Sequence, residues 1–213
     1  DEIQFSAYRL GGSSVYTAPD FQSADYSNNV VDEMGYGEFS NTDLQKFMTG
    51  KTVTVNTIED INSDMVSGKS SNKDFETAMQ LLYLKCTSPR NDEMAFESFK
   101  NRQMQMMAQM KSDPQSFDGD SLNKFMYKNH PRSKEIPDTH DFDQINLSHA
   151  VEFYNQRFGT ANGMHYFFVG SIDEANFKPM IEKYIGALGN QKVEAKSKDI
   201  GMKPIMGDNS ITI

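Results

Sequence analysis

The stretch that most constrains this chain is Phe167–Leu188, FFVGSIDEANFKPMIEKYIGAL. From His165 to Val169 the residues are rich in apolar side chains and end at Gly170, the pattern of a central, buried strand. Gly170 and Ser171 make a turn, and Asp173 or Ser171 can cap a helix by accepting from a free backbone N–H. Phe177, Ile181, Tyr184 and Leu188 then recur at helical spacing, so one face is apolar. Pro179 is expected to kink or restart that helix because it lacks a donor. Gly189-Asn190 is expected to end it. On physical grounds alone this is a strand–helix unit of no particular function.

Length and composition bound the rest. The 213 residues allow one large domain or two small ones. A hydrophobic content of 37% with 15 Phe suffices for a substantial core. A net charge of −9 argues against nucleic acid, which needs clustered Lys and Arg. The single Cys86 excludes an internal disulfide and a multi-Cys metal site, and leaves the redox compartment open. No apolar run approaches the ~20 residues of a membrane span. The chain opens at Asp1 in a strand-like pattern, without initiator Met or signal peptide, and is read as a piece of a longer protein.

Taken in order, Ile3, Phe5 and Ala7 alternate with polar residues as a half-buried strand that ends at Gly11-Gly12. Ser13 to Ala18 reads as a loop, and a helix runs from about Pro19 or Phe21 to Met34. Ser40 and Asp43 resemble a capping box that opens a short helix with Leu44, Phe47 and Met48 inward. Thr52–Thr57 and Ile61–Gly68 read as adjacent strands joined by a turn at Glu59-Asp60. Phe75, Ala78, Met79, Leu82 and Cys86 mark the clearest amphipathic helix. A long helix over about Asp92–Met110 follows, with Phe96, Phe99, Met106 and Met110 on one face. Its methionines (Met104, Met106, Met107, Met110) are read as gap-filling core with a solvent-facing remainder, rather than as a pliable binding surface. Asp113-Pro114 starts another helix toward Tyr127. Asn129–Asp143 reads as a loop, and Asn146 caps a helix with Leu147, Ala150, Val151, Tyr154 and Phe158 on one stripe. Residues 191–208 turn to Lys, Gly and Pro and read as a linker, and Ser210–Ile213 as the start of another strand. Segregated strands and helices indicate an α+β fold, an antiparallel or mixed β-sheet with helices packed largely on one face. Residues 1–190 form the domain, and 191–213 a linker and the start of the next.

Motifs for chemistry are sparse. Asp138, His140, Asp141 and Asp143 are the only dense group of ligand types, but their spacing matches no helix face, and a solvated loop is the simpler reading. His149 and His165 stand alone and are read as structural. Cys86 lies on an apolar helix face, as a small buried hydrophobe would. Gly11-Gly12-Ser13-Ser14 lacks the ending of a phosphate loop, and no G-x-S-x-G elbow is present.

Several stretches together resemble the pitrilysin/insulinase family of zinc metallopeptidases. FFVGSIDEANFKPMIEKYIGALGN is similar to the last strand and helix of such a domain, and DEIQFSAYRLGG to its opening strand and Gly pair. GYGEFSNTDLQKFMTGKTVTV resembles a segment of the family's second, non-catalytic half. NKDFETAMQLLYLKCTSPRND resembles its long helix pair, and NLSHAVEFYNQRFG the helix before the final strand. No single piece is specific; their order and spacing are, over nearly the whole chain. The resemblance implies a roll of the pitrilysin or mitochondrial processing peptidase type. In the family's catalytic domains the first helix carries HxxEH, whose His pair ligates zinc while the Glu activates water, and a Glu on a later helix completes the site. By resemblance Asn28 and Asp32 stand here where the His pair would be, and Val31 where the Glu would be. The later position falls near Lys100, with Glu97 close by. A slip of a residue or two changes nothing, because the first His of the chain is His130.

The resemblance therefore implies a non-catalytic domain with no catalytic, cofactor or metal residue of its own. It would form part of a substrate-enclosing chamber opposite a catalytic domain that holds the zinc, in the same or a second chain, with a peptide as substrate. Bacterial relatives of the family point to the cell envelope or periplasm. The family's substrate-binding Arg and Tyr have no match here, and Arg9, Arg90, Arg102, Arg132 and Arg157 are read as surface residues. The alternatives are an assembly protein of the same fold, like the core subunits of respiratory complexes, with no proteolytic partner, and an independent hydrolase using the His140 group.

Overall fold

A computed structural model describes residues 2–17 and 20–212. Ala18 and Pro19, where the first loop and helix were expected to meet, and Ile213 lie outside the described residues. Four antiparallel strands form one sheet in the order β2-β3-β1-β4: β1 (Glu2–Leu10), β2 (Val53–Glu59), β3 (Ser63–Ser71) and β4 (His165–Gly170). The α+β class expected from the sequence holds. The helices are α1 (Phe21–Asp25), α2 (Ser27–Met34), α3 (Asn41–Met48), α4 (Phe75–Thr87), α5 (Glu93–Ser112), α6 (Pro114–Met126), α7 (Thr139–Asp143), α8 (Leu147–Phe158) and α9 (Glu174–Tyr184).

One face of the sheet carries the core. Ile3, Phe5 and Ala7 of β1, Val55 of β2 and Val66 of β3 are buried against α2, α4 and α8. Every position read as the inner face of α4 (Phe75, Ala78, Met79, Leu82, Cys86) is almost fully buried. The caps also form where the sequence placed them. Ser40 accepts from the Asp43 N–H, Asp113 from that of Ser116, Asn146 from that of His149, and Asp173 from that of Ala175. Each gives the helix start an acceptor for an otherwise unpaired donor.

Several expectations are corrected. β4 is an edge strand, not a central one, and Phe167 and Val169 are exposed. The helix expected to end at Met34 is two, α1 and α2, broken at Tyr26. In α3 no residue is buried and Phe47 points outward, because no neighbouring element covers that side. On α5, Met104 and Met107 rather than Met106 pack against the core, and Met106 is exposed. The stretch 129–143 is not only loop: it contains α7, closed by a capping box of Asp138 and Asp141. Pro179 sits inside α9 without restarting it.

Arg9 and Arg157 are not surface residues. Both are buried, at 1% and 2% exposure, around Asp64. Arg9 Nε donates to Asp64 Oδ2 at 3.0 Å, and Arg157 donates from Nη2 at 2.6 Å. Their remaining donors reach backbone carbonyls of Asn162, Arg157, Glu194 and Leu10. Burial is tolerated because nearly every donor has an acceptor.

Residues 191–206 have no regular secondary structure, yet they run back over the body. The Glu194 carbonyl accepts from Arg157, Lys198 N–H donates to Ser14 Oγ, and the Ile200 carbonyl contacts His130 Nε2. Ile205 N–H donates to the Met126 carbonyl at the end of α6. Residues 210–212 form no strand.

Candidate functional site

Helix α2 carries Asn28, Val31 and Asp32, the positions that the resemblance sets against the zinc motif. It ends at Gly35, whose φ of 87° only glycine adopts easily, and an added Cβ would strike the Phe39 carbonyl. This turn returns Tyr36 beneath the helix, next to Asp32.

Val31 is fully buried with Val30 and Met34 in the core. It can neither carry a proton nor reach solvent. Asp32 is engaged instead: its Oδ1 accepts from Lys85 Nζ at 2.5 Å and from the Tyr36 hydroxyl. Lys85 Nζ also donates to the Tyr36 oxygen at 3.1 Å and lies 4.4 Å from the ring centre. The Tyr36 hydroxyl is 3.5 Å from that of Tyr154, which is 3.1 Å from Thr57 Oγ1. A polar line thus runs from the protein surface into the core. Burial holds both phenols well above the usual tyrosine range, and for Tyr36 the neighbouring Tyr154 and Asp32 carboxylate add to it. Neither ionises near neutral pH.

Asn28 donates to Asp32 Oδ2 at 3.4 Å, while its own Oδ1 is buried without a partner. Lys100 on α5 places its ammonium 5.5 Å from the Phe96 ring centre, Glu97 is exposed, and Glu33 pairs with Arg102 at 2.6 Å. These residues do not fit a zinc ion. Asp32 is balanced by an ammonium, Glu33 is paired with Arg102, residue 31 is aliphatic, and the free acceptor Asn28 Oδ1 is a neutral amide oxygen. Lys85 was missed by the sequence reading, although it lies on the inward stripe of α4 with Ala78 and Leu82, where a lysine needs an anion.

The network floors a cleft of about 350 Å³ between α3, α4 and β2, lined by Asp32, Tyr36, Asn41, Val53, Asn56 and Lys85. A larger hollow of about 790 Å³ lies elsewhere, between α8 and residues 191–198. Arg157 lines it, but that guanidinium is already committed to Asp64.

The remaining candidates are not brought together. Asp138 and Asp141 cap α7 and share the Lys134 ammonium at 3.1 and 2.8 Å, while His140 turns outward to Gln144. Asp143 is exposed at the end of α7. His149 lies 3.3 Å from Asp20, and His165 stacks loosely on Tyr8. Among the described residues no three His, Cys, Asp or Glu side chains converge as a ligand set. Cys86 is buried, and burial pushes its thiol up to about 12. Among the described residues no helix is long and apolar enough to cross a membrane.

The α+β fold is similar to that of solved peptidase M16 domains, and the sequence contains no HxxEH. Over 188 residues the chain is 22% identical to the probable zinc protease PqqL of Haemophilus influenzae, a match covering 88% of this chain and 20% of that protein. The crystal structure of the periplasmic protease PqqL from Escherichia coli matches all of the chain with a TM-score of 0.79 at 17% identity, over 23% of that structure. The peptidase M16 inactive domain from Pseudomonas fluorescens matches 92% of the chain with a TM-score of 0.74 at 17% identity, over 48% of that structure. No protein-family model matches the chain. The chain thus spans about a fifth of the length of the zinc proteases it resembles.

Proposed function

We propose that this chain is a non-catalytic domain of a longer pitrilysin-like zinc endopeptidase. It forms one wall of a chamber that encloses a peptide opposite the catalytic domain. That domain holds the zinc and lies in the same polypeptide or on a second chain, and a bacterial periplasmic location follows the named relative from Escherichia coli. The observation that carries the reading is the state of α2. The position of the general base is a buried Val31, and Asp32 is closed off by Lys85. A domain that keeps the fold while its motif helix is sealed contributes shape rather than bond cleavage. Two walls hold a peptide in a near-attack pose, and orientation of this kind is a large part of catalysis.

The test is peptide cleavage by the catalytic half alone and after adding back the half that contains this chain. The catalytic half alone is expected to keep its zinc and to cleave at least about tenfold more slowly, with recovery on addition. Asn28→Ala in the complete enzyme is expected to leave turnover unchanged. Full activity of the catalytic half alone sinks the enclosing role. Chelator-sensitive cleavage by this chain alone sinks the non-catalytic assignment.

A further inference from the structure

Helix α3 is amphipathic yet none of its residues is buried. Leu44, Phe47 and Met48 recur at i, i+3 and i+4 and form one apolar stripe beside α4. α4 faces it with Thr77, Gln80, Leu81 and Leu84, again at helical spacing. The two stripes do not close on each other, and a trough of about 300 Å³ lies between them. On the other flank of α3 is the cleft above Asp32, which shares Leu44, Met48 and Leu81 with the trough. Thr77 to Leu84 spans about 10 Å of helix, so the trough is long and narrow. No charged side chain lines it, and Phe39 and Phe47 on its wall are 38% and 55% exposed. An apolar hollow with a few polar groups is the usual form of a small-molecule site.

The two ends of the trough differ in charge. At the end by Leu84 the surroundings are apolar. A Cβ added to Gly37 would lie 3.0 Å from Leu84 Cδ1, which places the turn that carries Phe39 at this end. The end by Thr77 is charged. Thr52 N–H donates to Asp74 Oδ2 at 3.0 Å, which brings Lys51 to the start of α4. Lys51 Nζ lies 5.5 Å from the ring centre of Phe47, and Lys183 Nζ 4.8 Å from that of Tyr184. Both acids at this end are already engaged. Asp74 accepts from Thr52 and Ser71, and Glu76 accepts from Lys183 and Tyr184. Among the described residues Lys183 has its anion in Glu76, whereas Lys51 has none within ion-pair distance. In a chain of net charge −9, this mouth keeps an ammonium free.

We infer that the trough binds a single-chain anionic amphiphile, an alkyl chain that ends in a carboxylate. The chain lies between α3 and α4 with its tail at Leu84 and Phe39, and its carboxylate meets Lys51 at the Thr77 end. Length and charge select this occupant. A bare hydrocarbon leaves Lys51 unused, and a single aromatic ring is too short to reach from Leu84 to Thr77. A cationic amphiphile would bring like charge beside Lys51 and Lys183. The site serves no step of the function proposed above and stands apart from it.

Methyl NMR on the full chain tests it, with octanoate as the probe and octan-1-ol as its uncharged counterpart. Octanoate is expected to shift the methyl signals of Leu44, Leu81 and Leu84 saturably and to leave those of Leu10 and Leu122, exposed elsewhere on the surface, unmoved. Lys51→Gln, at an exposed position, is expected to weaken octanoate at least about threefold and to leave octan-1-ol unchanged. Gln80→Trp fills the trough from an exposed position on α4 and is expected to abolish the response to both probes. Both side chains are solvent-facing, so each variant is expected to keep the denaturation midpoint of the unsubstituted chain. Shifts that reach Leu10 and Leu122 equally, or that never saturate, overturn the site. Equal affinity of octanoate for the unsubstituted chain and for Lys51→Gln overturns the anionic head. An uncharged leucine dipeptide that saturates the same methyls at a lower concentration than octanoate also overturns the proposal, and assigns the trough to a peptide side chain.

Discussion

Asp64 and Glu59 sit on the two strands of one hairpin, and both carboxylates are withdrawn from water, yet they are treated oppositely. Asp64 on β3 meets two guanidiniums, with Arg9 directly opposite it in the β1 register and Arg157 reaching in from α8. Glu59 on β2 receives one neutral hydroxyl, Ser27 Oγ at 2.6 Å, and its Oε1 is buried with no partner. Burial pushes the Glu59 carboxyl up to about 8, the Ser27 hydrogen bond and Arg157 oppose this, and Asp64 and Asp25 add to it. The lesson is that depth does not decide the charge state of a buried acid; what faces it does. Asp64 is a salt-bridged joint between β1, β3 and α8. Glu59 is an acid that keeps its proton at neutral pH.

The largest effect that sharpens this contrast is Asp64→Ala. It leaves two guanidiniums buried without an anion, and a loss of about 3–5 kcal/mol is expected in chemical denaturation. A loss under about 1 kcal/mol would mean that water reaches Arg9 and Arg157, and the contrast with Glu59 would collapse. Leu82→Ala supplies the apolar yardstick. Leu82 is 1% exposed in the core, and its truncation is expected to cost about 2–5 kcal/mol through the cavity left behind.

Glu59 gives a smaller effect that depends on pH. Its folded pKa lies above the unfolded value of 4.5, so the folded state binds the proton more tightly. The stabilisation is fully present below about pH 4.5 and is lost as pH rises toward 8, at no more than about 1.4 kcal/mol per unit. Asp25, also raised by burial, acts in the same direction. Glu59→Gln copies the protonated acid. It is expected to change stability little at pH 5 and to flatten the decline between pH 5.5 and 8. A decline that persists unchanged in the variant assigns it to other groups. The smallest effect is Phe167→Ser, expected to stay within about 0.5 kcal/mol in this chain because the ring is already exposed. A loss above about 1 kcal/mol would place that ring in a packed layer of this chain.

Most of the local structure was legible in the sequence, because it depends on neighbours a few residues apart. The stripe from Phe75 to Cys86 and the caps at Ser40, Asp113, Asn146 and Asp173 are of this kind. What was misread depends on partners far along the chain. Arg9 shares the inward parity of Ile3, Phe5 and Ala7, yet its charge led to a surface reading. What makes the burial acceptable is Asp64, 55 residues away. Lys85 is the same case, matched by Asp32 at a separation of 53 residues. β4 was misplaced for a different reason. Its residues show how much apolar surface the strand offers, and that quantity is blind to which end of the sheet it occupies. At α2 the absence of any His was readable from the sequence, whereas the ammonium that pairs with Asp32 was not.

The irregular stretch after α9 also fixes how the domain bears load. Its attachments come in sequence along the body, at Glu194, Lys198, Ile200 and Ile205. Tension applied beyond residue 206 falls first on the bond between Ile205 and Met126 at the end of α6, and reaches α9 only after the others have let go. A pull from that side would therefore peel these attachments in turn, with the cluster at Ser197 and Lys198 the strongest hold, instead of shearing the sheet. The core would feel the force last.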